Sequence, residues 1–391
     1  MHRSTRRRPD GTVGIISLAA LAVTHPQMGL PIGGSEIQLY LLARSLADEG
    51  YKVTLYVADM GQGPQVADEI HLEPLLPLAN GLRLRPRDFP PALVKLARAR
   101  HRLYITQGPS PVNGLACVAA RLARGRHMHM CAHDDEASGL ADVTLSRPAK
   151  WLHHFGLRHA HAVTCQNDRQ KSSLKKIFAR RGLVVSSLPP VFGPQATHRD
   201  GDFLWVGRDI EWKQPELFIE LARHMPAYRF TMLFQPQPGR DSSRLGSQAP
   251  PNLTLIPGLP LKDAAALFSR YRVLVCTSSS EGFPNTFLLA AFAGTPILSL
   301  SVDPDGLVTR FGAGLVCDGT IQSLEHNAGE IAENALLWES LHKGALRYAE
   351  DQRKRGRRVV NLVHYLMTSP SISADGMSGC SSETTIPPPQ G

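Results

Sequence analysis

An apolar β-run, a polar loop and an amphipathic helix follow one another along this chain, and past residue 200 the series begins again. Gly14–Val23 reads as a strand, and a loop with Pro26 and Pro31 leads from it to Gly33-Gly34-Ser35. Glu36–Glu49 then sets Ile37, Tyr40, Leu41 and Leu46 at helical spacing, and Gly50 stops the helix. Further strands are expected at 52–58, 103–106, 127–132, 161–165 and 183–187, with helices at 91–101, 112–124, 147–159 and 168–178. The stretch "SLPPVFGPQATHRDGD", 187–202, reads as a linker. Beyond it, strands at 203–207, 229–234, 253–256, 272–276 and 296–300 alternate with helices at 214–224, 261–270 and 285–293, and 327–365 reads as helical. Such alternation predicts α/β architecture: two Rossmann-like, doubly wound parallel-sheet domains facing a cleft. The domains are expected at 1–190 and 200–345. The Ser-, Thr- and Pro-rich tail, 368–391, is expected to be disordered.

A chain of 391 residues, 42% hydrophobic and with mean hydropathy −0.15, can bury two cores without staples. Its six cysteines are scattered with no C-x-x-C, which fits a reducing, cytoplasmic setting. The net charge of +9 calls for an anionic partner: a nucleotide, a lipid phosphate, a membrane surface or nucleic acid. The charge gathers at the N-terminus, at 95–102, around 169–181 and at 353–358. No nucleic-acid motif accompanies it, and no nucleic acid is expected as partner. "TRRRPDGTVGIISLAALAV" has the charge order of a signal peptide, but Pro9-Asp10-Gly11 makes a turn there and a buried first strand is the simpler reading. No apolar run reaches the roughly 20 residues of a spanning helix.

Ligands in doubly wound sheets sit at the carboxyl ends of strands, and the chemistry-bearing residues fall in those loops. "SSSEGFPNTFLLAAF", from Ser278, follows the strand "RVLVC" and opens a helix. A helix N-terminus offers unpaired N–H groups and partial positive charge to a phosphate. Gly282 lets backbone approach a ligand, Phe283 continues the loop, Pro284 sets the direction of the helix, and Asn285 and Thr286 are expected to cap it. Glu281 is placed to accept hydrogen bonds from sugar hydroxyls. In "LWVGRDIEWKQPELFIELA", Arg208 follows a strand and Lys213 lies just before the next helix, and the two are expected to grip a diphosphate.

His127, His129, Cys131 and His133 alternate and share one strand face, but neighbours on such a face lie about 7 Å apart, so they are not expected to hold a metal. His127 and His129 are expected in the core or cleft, with His133 at the strand's end. Asp134 and Asp135 read as turn residues or acceptor contacts. "VDPDG", 302–306, reads as a turn.

In order, "GGSEIQLYLLARSLADEGYKVTLY", "VGRDIEWKQPELFIELA" and "SEGFPNTFLLAAFAGTPILSL" resemble the GT-B glycosyltransferases of family 4, the group 1 glycosyl transferases. The resemblance spans about 14–365. It implies a retaining hexosyltransferase that uses a nucleotide-diphosphate sugar, with no cofactor and no metal. It implies a donor site in the C-terminal domain and a last helix, 346–366, crossing back to the N-terminal one. Arg208 and Lys213 match the family's diphosphate-binding Arg and Lys. Glu281 matches the first acid of a two-glutamate motif, Gly282–Asn285 the loop around sugar and phosphate, and Gly33 and Gly34 a glycine-rich loop near the donor phosphates. His133 matches a position at the donor–acceptor junction. The sequence departs at Leu289, where the family has a second Glu that holds the ribose hydroxyls.

The expected acceptor is a saccharide or lipid-linked saccharide in polysaccharide or glycoconjugate biosynthesis. The expected location is the cytoplasm, with peripheral contact to the anionic inner face of a membrane. Two alternatives stand beside this: a degenerate, non-catalytic nucleotide-sugar or saccharide binder, favoured by Leu289, and an NAD-dependent oxidoreductase, suggested by Gly33-Gly34 and Asp59. The absence of G-x-G-x-x-G and the long first loop oppose the second.

Overall fold

The computed structural model describes residues 11–25, 33–77, 85–140, 145–188, 198–236, 240–259, 261–281 and 284–369. The tail 370–391 lies outside them, as do Gly282 and Phe283.

The first sheet starts with β1 (Thr12–Ile16), shorter than the strand expected over Gly14–Val23. After Ser17, whose N–H donates to the Tyr56 carbonyl, Leu18–Ala20 makes a tight helical turn and Leu21–Thr24 one turn of helix, α1. The Leu/Ala-rich run suits a helix as well as a strand, so periodicity could not separate them. Next come α2 (Gly34–Asp48), β2 (Lys52–Asp59), β3 (Gln65–Ala67), β4 (Ile70–Pro77), α3 (Phe89–Ala99), β5 (Leu103–Gln107) and α4 (Val112–Leu122). The domain continues with β6 (Arg126–Met130), α5 (Asp134–Ser138), α6 (Arg147–His159), β7 (Ala162–Cys165), α7 (Asp168–Phe178) and a two-residue β8 (Leu183–Val184) where 183–187 was expected.

Strand order is β3-β4-β2-β1-β5-β6-β7-β8, parallel except for the β3–β4 hairpin. That hairpin escaped the sequence pattern because β4 carries Pro74 and Pro77. The sheet tolerates Pro74 next to a bulge, where Val57 pairs with Pro74 and Ala58 with Leu76.

The second sheet takes β9 (Gly201–Arg208), β10 (Phe230–Gln235), β11 (Leu253–Pro257), β12 (Tyr271–Cys276), β13 (Ile297–Ser299) and β14 (Gly314–Val316). Between them run α8 (Pro215–His224), α9 (Ser243–Gln248), α10 (Leu261–Arg270), α11 (Asn285–Phe292) and α12 (Leu307–Phe311). All pairings are parallel, in the order β11-β10-β9-β12-β13-β14. The order reverses between β9 and β12, the point at which the loops after the strands of a doubly wound sheet part and ligands bind.

The C-terminal segment is two helices, α13 (Ile321–Glu333) and α14 (Ala335–Thr368), parted at Asn334, whose side chain caps the second. Helix α14 belongs to both cores. Ala345, Tyr348 and Ala349 pack with Leu289 and Phe292 of the second domain. Val359, Val360, Val363, Leu366 and Met367 pack with Val13, Leu42 and Leu55 of the first. Among the described residues, no helix is long and apolar enough to cross a membrane.

Candidate functional site

Lys213 and Glu281 come from loops on either side of the β9/β12 reversal, and their side chains meet. Lys213 Nζ donates to Glu281 Oε1, with the two side chains 17% and 13% exposed. Ser278 Oγ donates to the same oxygen at 2.7 Å. Backbone and core hold this arrangement from below. The indole N–H of buried Trp205 donates to Thr277 Oγ1 at 2.9 Å, and that hydroxyl donates to the Lys213 carbonyl at 2.7 Å. Ser279 N–H donates to the Trp212 carbonyl, which seams the two loops together. The loop after β9 therefore cannot shift without moving the floor of the acidic loop.

Arg208 ends β9 beside Gln235 and is half-buried. Its guanidinium makes no hydrogen bond or ion pair with any described residue, so it is not bonded to Glu281. The next residue, Asp209, is fully buried and was not anticipated. It takes both guanidinium nitrogens of Arg244 at 2.6 Å, Ser242 Oγ at 2.7 Å and Arg240 at 2.8 Å. Burial alone would raise its pKa, but the Arg244 and Ser242 hydrogen bonds and the two arginine charges bring it below the ordinary carboxylate value. These bonds fasten Arg240 and Arg244, from the segment after β10, to the loop that follows β9.

Pro284, not Asn285 or Thr286, is the N-cap of α11, and no side chain caps the helix. The expectation that Asn285 closes its own helix fails because the amide is engaged across the domain boundary. Its Oδ1 accepts from Gln38 Nε2 at 3.0 Å. Gln38 also donates to the Leu188 carbonyl and accepts the Leu188 N–H, so one buried amide joins α2, the connector and α11. Gly33 is the N-cap of α2 and Gly34 its first residue. The Asn285 amide lies so close over Gly34 that a Cβ there would stand 2.4 Å from Nδ2. The glycine pair is thus a place where the two domains approach, against the first residue of α11. The sequence signal for Gln38 was a lone polar residue on the apolar face of a helix.

Leu289 is 9% exposed and packed in the apolar cluster of the second domain. His133 is the N-cap of α5 at the carboxyl end of β6, with a half-open side chain whose Nδ1 accepts from the Asp135 N–H. Among the described residues it has no hydrogen bond or ion pair with the Lys213–Glu281 pair. Asp134 is tied to α7 through Asn167 and Gln170 rather than left free. Asp303 accepts the Val308 and Thr309 N–H groups and forms the expected turn.

Behind His133 lies a buried polar chain. Thr106 Oγ1 bridges His127 and His129, and His129 Nε2 meets Glu136 Oε1 at 2.7 Å. Glu136 Oε2 accepts the Ala132 N–H at 2.7 Å. Burial would raise the Glu136 pKa, yet the bond and charge of His129 and the charge of His153 hold it below the usual value. One ligand atom each of His129, Cys131 and Glu136 falls within 4.8 Å of the others. Cys131 lies past the strand end and Glu136 folds back from α5, which the spacing argument along one strand did not foresee. Both carboxylate oxygens are already satisfied by protein donors.

Residues 33–186 match the family model of the glycosyl transferase 4-like domain. No curated protein matches the sequence. Solved structures of the same fold include the sucrose-phosphate synthase of Thermosynechococcus elongatus, at TM-score 0.70 and 15% identity, covering 91% of this chain and 99% of that one. HepE of Anabaena in complex with UDP-glucose aligns at TM-score 0.67 and 13% identity over 90% and 99% of the two chains. WaaG, a glycosyltransferase involved in lipopolysaccharide biosynthesis, aligns at 0.66 and 15% over 90% and 99%. The GT-B expectation is borne out.

Proposed function

From a glycosyl transferase 4-like domain set in a GT-B fold, we propose a retaining transferase that moves a hexose from a nucleotide-diphosphate sugar to a saccharide or lipid-linked acceptor, without a metal. The observation that carries this reading is the meeting of Lys213 and Glu281 at the point where the strand order of the second sheet reverses, beside the N-terminus of α11. In this reading the donor's diphosphate lies between Lys213, Arg208 and the first N–H groups of α11. Breaking the sugar–phosphate bond leaves charge on the β-phosphate, which Arg208, the N–H dipoles of α11 and Lys213, once it turns from Glu281, stabilise. Glu281 then takes hydroxyls of the hexose, and its bond from Ser278 keeps it oriented when Lys213 turns to the phosphate. The acceptor hydroxyl attacks from the face the phosphate leaves and gives its proton to the departing phosphate oxygen.

Gly33 and Gly34 bring the first domain's helix end close to α11, which supports a role beside the donor phosphates. To His133, at the carboxyl end of β6, this reading assigns the orientation of the acceptor. The remaining proposals are a role in polysaccharide or glycoconjugate synthesis and a cytoplasmic, peripheral location. Leu289 favours a second reading, a binder without turnover, since no carboxylate stands where the family holds the ribose. The dinucleotide reading has lost its basis: β1 ends at Ile16 and the glycines only open α2, so no tight strand-to-helix turn holds a pyrophosphate there.

Incubation with radiolabelled UDP-, GDP- and ADP-hexoses, with and without chelator, tests the proposal. Release of nucleotide that persists with chelator and vanishes in Lys213→Ala and Arg208→Ala is expected. Tight binding with no release supports the binder, and release by both variants at the wild-type rate removes the proposed roles.

A further inference from the structure

The strongest feature outside the cleft is at the opposite edge of the first sheet. In a parallel sheet each crossover helix ends where the next strand begins, so the last turns of α3, α4, α6 and α7 line up along the amino edges of β5, β6, β7 and β8. The alignment is direct: Arg126 N–H donates to the Arg102 carbonyl and His161 N–H to the His127 carbonyl, both at 2.8 Å. Each of these ends is basic. The end of α3 supplies Arg98, Arg100 and Arg102, all exposed. The end of α4 supplies Arg121 and Arg124, exposed, with Arg126 partly buried. Arg158 and His159 follow from α6, and Lys175 and Lys176 from α7.

Segments 98–102, 121–126, 158–161 and 175–183 contain no acid. Among the described residues, no ion pair reaches Arg98, Arg100, Arg121, Arg124, Lys175 or Lys176. Among the described residues, acids return at the far side of this edge, with exposed Asp48 and Glu49 at the end of α2 and exposed Asp68 and Glu69 just before β4. The groups inside the patch register its charge. The pKa values of the His159 and His161 rings are both lowered first by burial, then His159 by Arg121, Arg180 and Arg158, and His161 by Arg126, Arg121 and Arg180.

Cations at helix C-termini complement the macrodipole, which accounts for one or two per helix. It does not account for the missing acids, nor for the apolar side chains set among the cations. Leu122 is 65% exposed, Ile177 46% and Leu183 39%, each in the same rim. Above it, Trp151 stacks on Phe155, and Arg121 lies over the Phe155 ring. A soluble polyanion has no use for exposed leucine and isoleucine, whereas a bilayer takes both charge and apolar tips.

We propose that this amino edge is a docking surface for an anionic bilayer. The surface is independent of the transfer reading, because the cleft lies at the carboxyl ends of the same strands, about 17 Å away for a five-residue strand. Docked this way, the cleft opens away from the lipid, toward a soluble or long-tethered acceptor.

The test is co-sedimentation of the full chain with vesicles of phosphatidylcholine alone or mixed with phosphatidylglycerol. Each basic residue at such a surface strengthens binding by about fivefold, so Arg121→Ser, Arg124→Ser and Lys176→Ser together should weaken it roughly a hundredfold. Raised salt should weaken it too. Leu122→Ser with Ile177→Ser should weaken vesicle binding while leaving dextran sulfate binding unchanged. Inorganic pyrophosphate, a probe of the cleft, should not compete. Circular dichroism confirms the fold of each variant. Equal sedimentation with neutral vesicles, no sedimentation with either, wild-type binding by the triple variant, indifference to the apolar substitutions, or displacement by pyrophosphate would each overturn the proposal.

Discussion

Lys213→Met removes one charge and keeps most of the side chain's length. In the structure the ammonium and Ser278 Oγ both donate to Glu281 Oε1, and each partner of the pair is less than a fifth exposed. Orphaning one ion of a fully buried pair costs about 3–5 kcal/mol. Water reaches both side chains here, so the expected loss is about 1–2 kcal/mol. For domains of this size that is a fall in Tm of about 2–8 °C. Adding Glu281→Gln should recover part of it, with a coupling near 1 kcal/mol in the double-mutant cycle. Function should not recover. If the ammonium stabilises the departing phosphate, its loss lowers kcat by about a hundredfold to a thousandfold, and Glu281→Gln adds nothing back. The assays are urea denaturation of the four proteins and nucleotide release from the preferred labelled hexose donor. Additive stabilities would refute the pairing. Wild-type kcat in Lys213→Met would refute the catalytic assignment whatever the stabilities show.

Gly34→Ala places a Cβ 2.4 Å from the Asn285 amide. The Gln38–Asn285 bond should break, the radius of gyration in X-ray scattering should rise, and turnover should fall by about tenfold as the two halves lose alignment; no change in either measurement means the contact does not set the closed arrangement. His101 is enclosed by Tyr56, Tyr104 and Thr12, and burial pushes its pKa down to about 4. The unfolded chain keeps the ordinary value, so it binds the proton first as pH falls. The stability tied to the neutral ring is present at pH 7 and is lost from about pH 6.5 to pH 4, by about 3 kcal/mol. His101→Phe should lose that component of the pH slope in urea denaturation, and an unchanged slope counts against a neutral buried ring. Leu289→Ala should cost about 2–4 kcal/mol as a cavity yet leave nucleotide affinity in calorimetry within about twofold; a larger affinity change would place the side chain on the nucleotide rather than in the core.

Local pattern alone was enough for most elements. Period and glycine stops located α2, α6, α7 and α10 closely, because each buries one face against a sheet and shows the spacing that burial requires. The strand-after-strand loops also placed Lys213 and Glu281 at strand ends, since a parallel sheet leaves no other position for them. Where a segment's state depended on a distant partner, the pattern failed. Leu18–Thr24 is helical because the sheet needs only five residues from β1, and β4 is a strand because β2 tolerates a bulge at Pro74.

The sequence by itself determined two doubly wound sheets and which loops reach their carboxyl edges, since hydrophobic period and turn residues act over a few neighbours. Only the tertiary structure decided what those loops touch. Asn285 pairs with Gln38 rather than capping its helix, Asp209 fastens two arginines from the segment after β10, and four separate helix ends merge into one basic rim. Each of these joins residues far apart in the chain, and such contacts are set by how strands are ordered in the sheet, which no local periodicity encodes.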